Sequence, residues 1–310
     1  MENVSVVTSF ILTAYTELED HRYLYFMCFL FLYIVILLVN SVLIIVIYTD
    51  RGLHEPMYLF ICNLAVNGVY GSTSLLPSML SHLFSHNYEV SLTNCLLQIY
   101  CLHSYGTVEF TILAVMSYDR YVAICFPLHY HLLMSPRKAY AAIALSWIIP
   151  FLYFALYFIL TVRLSFCGRF IEKVYCMNFP LIKLSCFDTT IQRFVGLALL
   201  LVSPCSQIVM ILFTYAQILR ICLFASKESQ IKALQTCTPH LLAVINYGLG
   251  CLFELIQSRF NMTHVSYKAR IFMSIYFAIF SAMLNPFIYG MGIHAIRVQV
   301  LKLFSSTKCT

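Results

Sequence analysis

Seven stretches of mostly apolar residues, each long enough to cross a bilayer, constrain this chain more than anything else in its 310 residues. They run Leu24–Tyr48, Met57–Leu80, Cys95–Cys125, Ala139–Thr161, Phe194–Phe224, Ala233–Gln257 and Ile271–Gly290. A helix of about 20 apolar residues spans the hydrocarbon of a membrane. The chain is 61% hydrophobic and 10% charged, whereas a soluble domain carries roughly 25% charged residues. So few charges cannot cover a soluble surface of this size, and the surplus apolar area needs lipid as a second apolar medium. The expected fold is an all-α membrane protein, a seven-transmembrane helix bundle over residues 24–290. Residues 1–23 form a head and 291–310 a tail.

Polar punctuation supports the divisions. Asp50-Arg51-Gly52, Ser135-Pro136-Arg137-Lys138 and Ser226-Lys227-Glu228-Ser229 separate spans. Pro77, Pro150, Pro204 and Pro286 fall inside spans, which membrane helices tolerate because neighbouring groups satisfy the freed carbonyls. The head carries Glu2, Glu17, Glu19 and Asp20 and lacks the basic start and apolar run of a cleavable signal. No internal repeat is visible. The net charge of +6 comes from scattered Lys and Arg, with no basic stripe or stacking platform, so no nucleic-acid partner is expected.

Charge alone does not orient the bundle. With the N-terminus outside, ten of the 19 Lys and Arg are cytoplasmic: Arg51, Arg120, Arg137, Lys138, Arg220, Lys227, Lys232, Arg297, Lys302 and Lys308. That is almost no bias, so the positive-inside rule does not decide. Two other features do. Asn3-Val4-Ser5 is a glycosylation sequon, useful only on the luminal side, and Asn3 is its expected acceptor. Asn261-Met262-Thr263 is a second sequon in a short loop and is not expected to be used. Of 13 Cys, only Cys95, Cys167, Cys176 and Cys186 fall at the outer side under this assignment. Disulfides form there, and four cysteines allow three connectivities. The other cysteines read as small apolar filler. The expected location is the plasma membrane, multi-pass, N-terminus extracellular.

The specific signature lies at the end of the third span: Met116-Ser117-Tyr118-Asp119-Arg120-Tyr121-Val122-Ala123-Ile124-Cys125. Four more segments accompany it in order. They are Pro56-Met57-Tyr58-Leu59-Phe60, Thr214-Tyr215-Ala216-Gln217-Ile218, Lys232-Ala233-Leu234-Gln235-Thr236-Cys237-Thr238-Pro239-His240 and Leu284-Asn285-Pro286-Phe287-Ile288-Tyr289. Together they closely resemble the motifs of olfactory receptors within the rhodopsin-like G-protein-coupled receptors. The texture of several segments looks most like the odorant receptors of fish. Three departures stand out. Val39-Asn40 replaces the family's Gly-Asn. Leu64-Ala65-Val66-Asn67-Gly68 puts Gly68 where the family has an aspartate that helps hold sodium, while the helix-three acid, Glu109, remains. Tyr247 is followed by Gly248 at the aromatic switch. With one carboxylate left, no metal is expected, and no cofactor either. Either activation is wired somewhat differently from the family pattern, or Asn67 is a partial substitute for the lost acid.

The resemblance implies an odorant-sensing receptor that raises cyclic AMP through a stimulatory, olfactory-type heterotrimeric G protein. Its partners are a small-molecule odorant, that G protein and membrane lipid. It implies the disulfides Cys95–Cys176 and Cys167–Cys186. It also implies a ligand site in the outer half of the bundle, between helices three, five, six and seven. Helical spacing places His103, Gly106, Thr107 and Phe110 near one face. Leu199 and Ser203 on helix five, Cys251, Glu254 and Leu255 on helix six, and Ile275 and Ala278 on helix seven complete the set. Glu254 has two readings: a contact for a cationic ligand, or, preferred, an exposed interfacial acid paired with Arg259.

For coupling, the resemblance implies an Asp119–Arg120 switch followed by Tyr121, and a hinge at Asn285-Pro286-x-x-Tyr289, since proline removes a backbone bond. Tyr215 and Tyr289 reach inward in the active arrangement. His240 either packs as an ordinary core residue or locks helix six to helix three at rest. Arg137 and Lys138 read as headgroup anchors. After the bundle, Ile293, Ile296, Val300, Leu303 and Phe304 recur at helical spacing with Arg297 and Lys302 between them, the pattern of a short amphipathic helix on the inner leaflet. Cys309 lies late in the tail for palmitoylation.

Rival readings fit less well. A transporter or channel calls for inverted repeats or charged pore rings. An intramembrane enzyme calls for a catalytic constellation, and His54-Glu55-Pro56 lacks the second His of a zinc helix. The chain is not expected to be an enzyme. A non-olfactory receptor of the same superfamily is the nearest alternative.

Overall fold

The computed structural model describes residues 7–306 except 261 and 263. Asn3, Asn261, Thr263, Cys309 and the Phe304 side chain lie outside the described residues. Seven described helices are long and apolar enough to cross a membrane. They are α1 (Arg22–Thr49), α2 (Pro56–Ser85), α3 (Leu92–Cys125), α4 (Pro136–Val162), α5 (Thr190–Cys222), α6 (Lys227–Arg259) and α7 (Tyr267–Gly292), followed by α8 (His294–Ser306). Several run past the apolar stretches read from sequence, because caps rather than hydropathy end them. Ser226, expected in a linker, caps α6 by accepting from Ser229 N at 3.3 Å, so that helix starts at Lys227 rather than Ala233. Pro136 occupies the first turn of α4, where its missing N–H is no loss. Pro77, Pro150, Pro204 and Pro286 all sit inside continuous helices.

Helix α3 is the central post and touches α2, α4, α5 and α6. Helix α7 packs on α1, α2 and α6, and α8 packs back on α1 and α7. Phe31, Leu38, Leu152, Leu156, Phe213 and Leu242 are exposed on the outside of the bundle. So many outward apolar side chains mark a surface made for lipid. Two cores lie inside. An outer one includes Leu76, Met79, Ile99, Leu102 and Ile279; an inner one includes Leu64, Ile112, Leu113 and Met116.

The described part of the head carries structure of its own. Strand β1 (Ser9–Leu12) pairs antiparallel with β2 (Glu89–Ser91) and parallel with β3 (Phe170–Ile171). Phe10 and Leu12 are buried, as are Ala14, Tyr15 and Leu18 in the 3-10 turn that follows. The Tyr15 hydroxyl donates to Val174 O at 2.8 Å. Three strands from distant parts of the chain, each four residues or shorter, leave no local periodicity to read. They form a cap over the end of the bundle that the expected orientation puts outside, called the outer end from here on.

Two disulfides are present, Cys95–Cys176, which ties the cap to α3, and Cys167–Cys186, which closes the loop on itself. The first links α3 to the loop between α4 and α5 and closes a separation of 81 residues; the second closes 19. Longer closed loops lose more unfolded-state entropy. Replacing Cys95 and Cys176 together by Ala should lower the thermal unfolding midpoint further than replacing Cys167 and Cys186, with losses on the order of 4 against 3 kcal/mol by loop-closure entropy. Thermal unfolding of the purified protein, with reductant-treated wild type as reference, measures both.

Candidate functional site

At mid-depth the bundle is organised around Glu109 of α3, which is fully buried. Asn67 Nδ2 of α2 donates to its Oε2 at 2.7 Å. On α7, Ser281 Oγ and Asn285 Nδ2 donate to Oε1 at 2.8 and 2.6 Å. Asn67 also reaches Tyr105 O at 3.1 Å. One carboxyl group thus joins α2, α3 and α7, and Asn285 of the Asn-Pro segment is one of its donors. Gly68 lies beside this hub. A Cβ there would stand 3.2 Å from Asn40 Oδ1 and 3.3 Å from Ala282 Cα. Asn40 in turn donates to Ala282 O at 2.9 Å. The side chain missing at residue 68 lets α1, α2 and α7 approach closely, and Asn67, one residue earlier, supplies the polar contact instead. Among the described residues no group of three His, Cys, Asp or Glu side chains could hold a metal ion.

The outer end is plugged by the loop between α4 and α5. Val174, Tyr175 and Cys176 are buried in it. Cys176 N donates to Gln98 Oε1 at 2.9 Å, and the Tyr175 hydroxyl donates to Ser274 O at 3.0 Å. Burial, with the Glu254 carboxylate nearby, pushes the Tyr175 phenol well above its ordinary pKa. Lys173 of the same loop reaches between α6 and α7. Its Nζ donates to Glu254 Oε1 at 3.0 Å, Gln257 Oε1 at 2.9 Å and Ser274 Oγ at 2.9 Å.

Glu254 is therefore neither exposed nor paired with Arg259. It is buried and its ion pair is Lys173. The reason is helical geometry: at about 100° per residue, positions five apart sit on different faces. An acid in a membrane helix demands a partner, but that rule cannot tell which cation the loop delivers.

The expected ligand residues separate into groups. Gly106 and Phe110 face α6: Gly106 O accepts from the Tyr247 hydroxyl at 2.6 Å, and the Phe110 and Tyr247 rings lie 5.5 Å apart. Cys251 packs against the same core, and Ile275 and Ala278 are buried on α7 in the outer core. Thr107 Oγ1 donates to His103 O, and one turn on, Thr111 accepts from Gln207 of α5 at 2.7 Å. The His103 ring stacks on Phe154 of α4 at 4.7 Å. Leu255 is more than a third exposed. Leu199 offers its carbonyl to the Tyr153 hydroxyl of α4 at 2.7 Å, and Ser203 is half-buried on α5.

A cavity of about 520 Å³ opens beside the plug, between this loop and the outer ends of α6 and α7. None of the expected ligand residues lines it. Lys173, Phe179, Lys183, Arg259, Tyr267 and Arg270 do. Sequence reading missed these because Lys173, Phe179 and Lys183 come from the loop, while Arg259, Tyr267 and Arg270 sit at the helix ends beyond the apolar stretches.

At the inner end, Arg120 and Asp119 form a buried ion pair in which Arg120 Nε lies 3.1 Å from Asp119 Oδ2. Tyr130, on the short helical turn Tyr130–Leu133, donates to Asp119 Oδ1 at 2.8 Å. Burial and then the Asp119 carboxylate raise the Tyr130 pKa, which keeps it a donor. Tyr121 packs edge-on to Phe126 rather than joining the pair. His240 of α6 bridges two neighbours. Its Nδ1 lies 2.7 Å from the Tyr215 hydroxyl of α5, and Nε2 lies 2.9 Å from Leu113 O of α3. A neutral imidazole protonated on Nε2 satisfies both partners. Tyr289 is buried, and its hydroxyl makes no hydrogen bond among the described residues.

Residues 28–307 match the family described as "Olfactory receptor". The chain is 33% identical to "Olfactory receptor 1468" of Rattus norvegicus, with 100% of this chain and 98% of that one covered. It is 34% identical to "Olfactory receptor 1D2" of Homo sapiens over 93% of this chain and 92% of that one. It is 35% identical to "Olfactory receptor 1M1" of Mus musculus over 98% and 97%. The fold superposes on squid rhodopsin with a TM-score of 0.72 at 19% identity, covering 93% of this chain and 87% of that one.

Two substitutions test the packing of the site. Lys173→Met strands a buried carboxylate and should cost about 3–5 kcal/mol, whereas adding Glu254→Gln should recover most of that loss. Gly68→Asp, which installs the usual family acid, should destabilise by roughly 1–3 kcal/mol because three helices crowd the new side chain. Thermal unfolding of the purified variants measures both.

Proposed function

This chain belongs to the olfactory receptor family and is an odorant-sensing, rhodopsin-like G-protein-coupled receptor rather than an enzyme; on that premise we propose how its parts divide the work. A small organic ligand enters from outside and binds in the outer half of the bundle. Gly106, Thr107, Phe110, Ser203, Cys251, Ile275 and Ala278 are its contacts, joined by Tyr247. A mostly apolar site with a few polar groups suits such a ligand. Ligand affinity must differ between two helix arrangements to shift their populations. The bridge from His240 to Leu113 O and Tyr215 supports an inactive arrangement in which α3, α5 and α6 are held together at the inner end.

Activation breaks that bridge. The inner ends of α5 and α6 move outward, with bending at Asn285 and Pro286, and Arg120 leaves Asp119 to meet the tail of a G protein. Tyr215 and Tyr289 then turn toward each other across the gap. The G protein is of the stimulatory type, so cyclic AMP rises. The receptor stands in the plasma membrane with its N-terminus and both disulfides outside, where bridges persist, and α8 lies on the inner leaflet. The observation that carries the coupling reading is the buried Asp119–Arg120 pair with Tyr130 fastened to it.

Cells expressing the full chain with a cyclic-AMP reporter, screened against water-soluble and volatile compounds, test the whole scheme. Arg120→Ala should abolish ligand responses at unchanged surface expression; responses that survive intact would refute the coupling mechanism. His240→Phe should raise basal cyclic AMP several-fold, since the ring keeps its volume and loses both hydrogen bonds.

A further inference from the structure

The cavity beside the outer plug is basic. Lys173, Lys183, Arg259 and Arg270 line it, against one lining carboxylate, Glu172. Lys173 is neutralised by Glu254; the other three cations have no ion pair among the described residues. Aromatic rings hold them instead. Lys183 Nζ lies 4.5 Å from the centroid of Phe179, the Arg259 guanidinium lies 4.3 Å from the same ring, and the Arg270 guanidinium lies 4.6 Å from that of Tyr267. Cation–π contact fixes a head group without using its N–H donors. Nε of Arg259 and Nε of Arg270 are both shielded from solvent and donate to nothing among the described residues. Buried donors normally find a partner, and guanidinium groups match planar anions in two-point fashion.

The geometry points to this outer cavity as a binding site for a water-borne organic anion, a carboxylate carrying an aromatic or aliphatic body. Arg259 and Arg270 take the carboxylate. Phe179 and Tyr267, already seated against the cations, cover the body. The site lies outward of the bundle pocket, and its wall is the loop that carries Lys173. An anion bound there faces the same loop, α6 and α7 that the Lys173–Glu254 pair fastens together. The site is therefore placed to select acids at the mouth of the receptor or to set how firmly the plug is closed.

The binding claim stands on the cavity alone, and only its effect on signalling rests on the receptor reading. The full chain in phosphatidylcholine nanodiscs is titrated with 3-phenylpropanoate, 3-phenylpropanamide and 3-phenylpropylammonium while the thermal unfolding midpoint is followed, since a ligand of the folded state raises it with concentration. The carboxylate should bind at least tenfold tighter than the amide, and the ammonium weakest. Arg259→Gln and Arg270→Gln should each weaken the carboxylate about tenfold and leave the amide unchanged, while Arg270→Lys retains part of the preference. Equal affinity for acid and amide in the wild type, or a preference that survives both Gln variants, would overturn the site. Stabilisation by phosphatidylglycerol nanodiscs with no response to 3-phenylpropanoate would overturn it too, by giving the cavity to a lipid headgroup. Carboxylate binding without any cyclic-AMP response to any ligand leaves this site standing and removes the coupling reading.

Discussion

A single buried carboxyl group, Glu109, is the interaction on which the bundle depends. It takes hydrogen bonds from α2 and α7 while sitting on α3, so three helices share one acceptor. In a lipid-facing bundle the hydrophobic effect does little to hold helices together, since lipid is as apolar as the core. Shared polar contacts and close packing do that work instead. Gly68 supplies the close packing and Asn67 the donor, one residue apart on α2. Residue 68 has no side chain, and Asn67 makes the link to α3. Because Asn285 also binds Glu109 and precedes Pro286, the proline-bearing segment of α7 is tied to the centre of the molecule.

Above this hub the outer cap is built from distant pieces of chain. The head strand, the turn after α2 and the loop between α4 and α5 meet in one small sheet, and Cys95–Cys176 pins that loop to α3. Tyr175 and Lys173 then extend the loop into the helices, where Ser274, Gln257 and Glu254 receive them. The buried ion pair does not by itself argue for stability, because desolvation offsets much of the attraction. Its consequence is positional. It sets the depth at which the plug sits between α6 and α7, and so shapes the basic cavity beside it.

Below the hub the contacts are of a different kind. His240, Tyr215, Asp119, Arg120 and Tyr130 form discrete polar links between helix ends, each made by one or two hydrogen bonds. Such links have two states, made or broken, unlike a packed apolar seam that deforms gradually. Helix α3 connects both regions: Gly106 and Phe110 meet α6 at mid-depth, and further in Leu113 receives His240. A ligand that shifts Tyr247 against Gly106 acts on the same two helices that His240 joins.

Much of the fold was legible in the sequence because a bilayer imposes one simple demand: a long apolar run with its backbone bonds satisfied internally. The seven spans, the α8 pattern and the family's motifs all survive in one dimension. Helix ends moved outward where Ser226 and Pro136 act through capping rather than hydropathy. Spacing along one helix was also enough to bring Gly106 and Phe110 to a shared face, and to put Asp119 next to Arg120. It did not show that His103 stacks on Phe154 of α4. It failed for Glu254, whose partner comes from residue 173. What the sequence determined by itself is therefore the set of elements and the chemistry each carries. The tertiary structure alone decided which distant residues meet: the three strands of the cap, Asn67 with Glu109, and Lys173 with Glu254. Those pairings depend on how helices and loops pack in space, and separation along the chain contains no record of it.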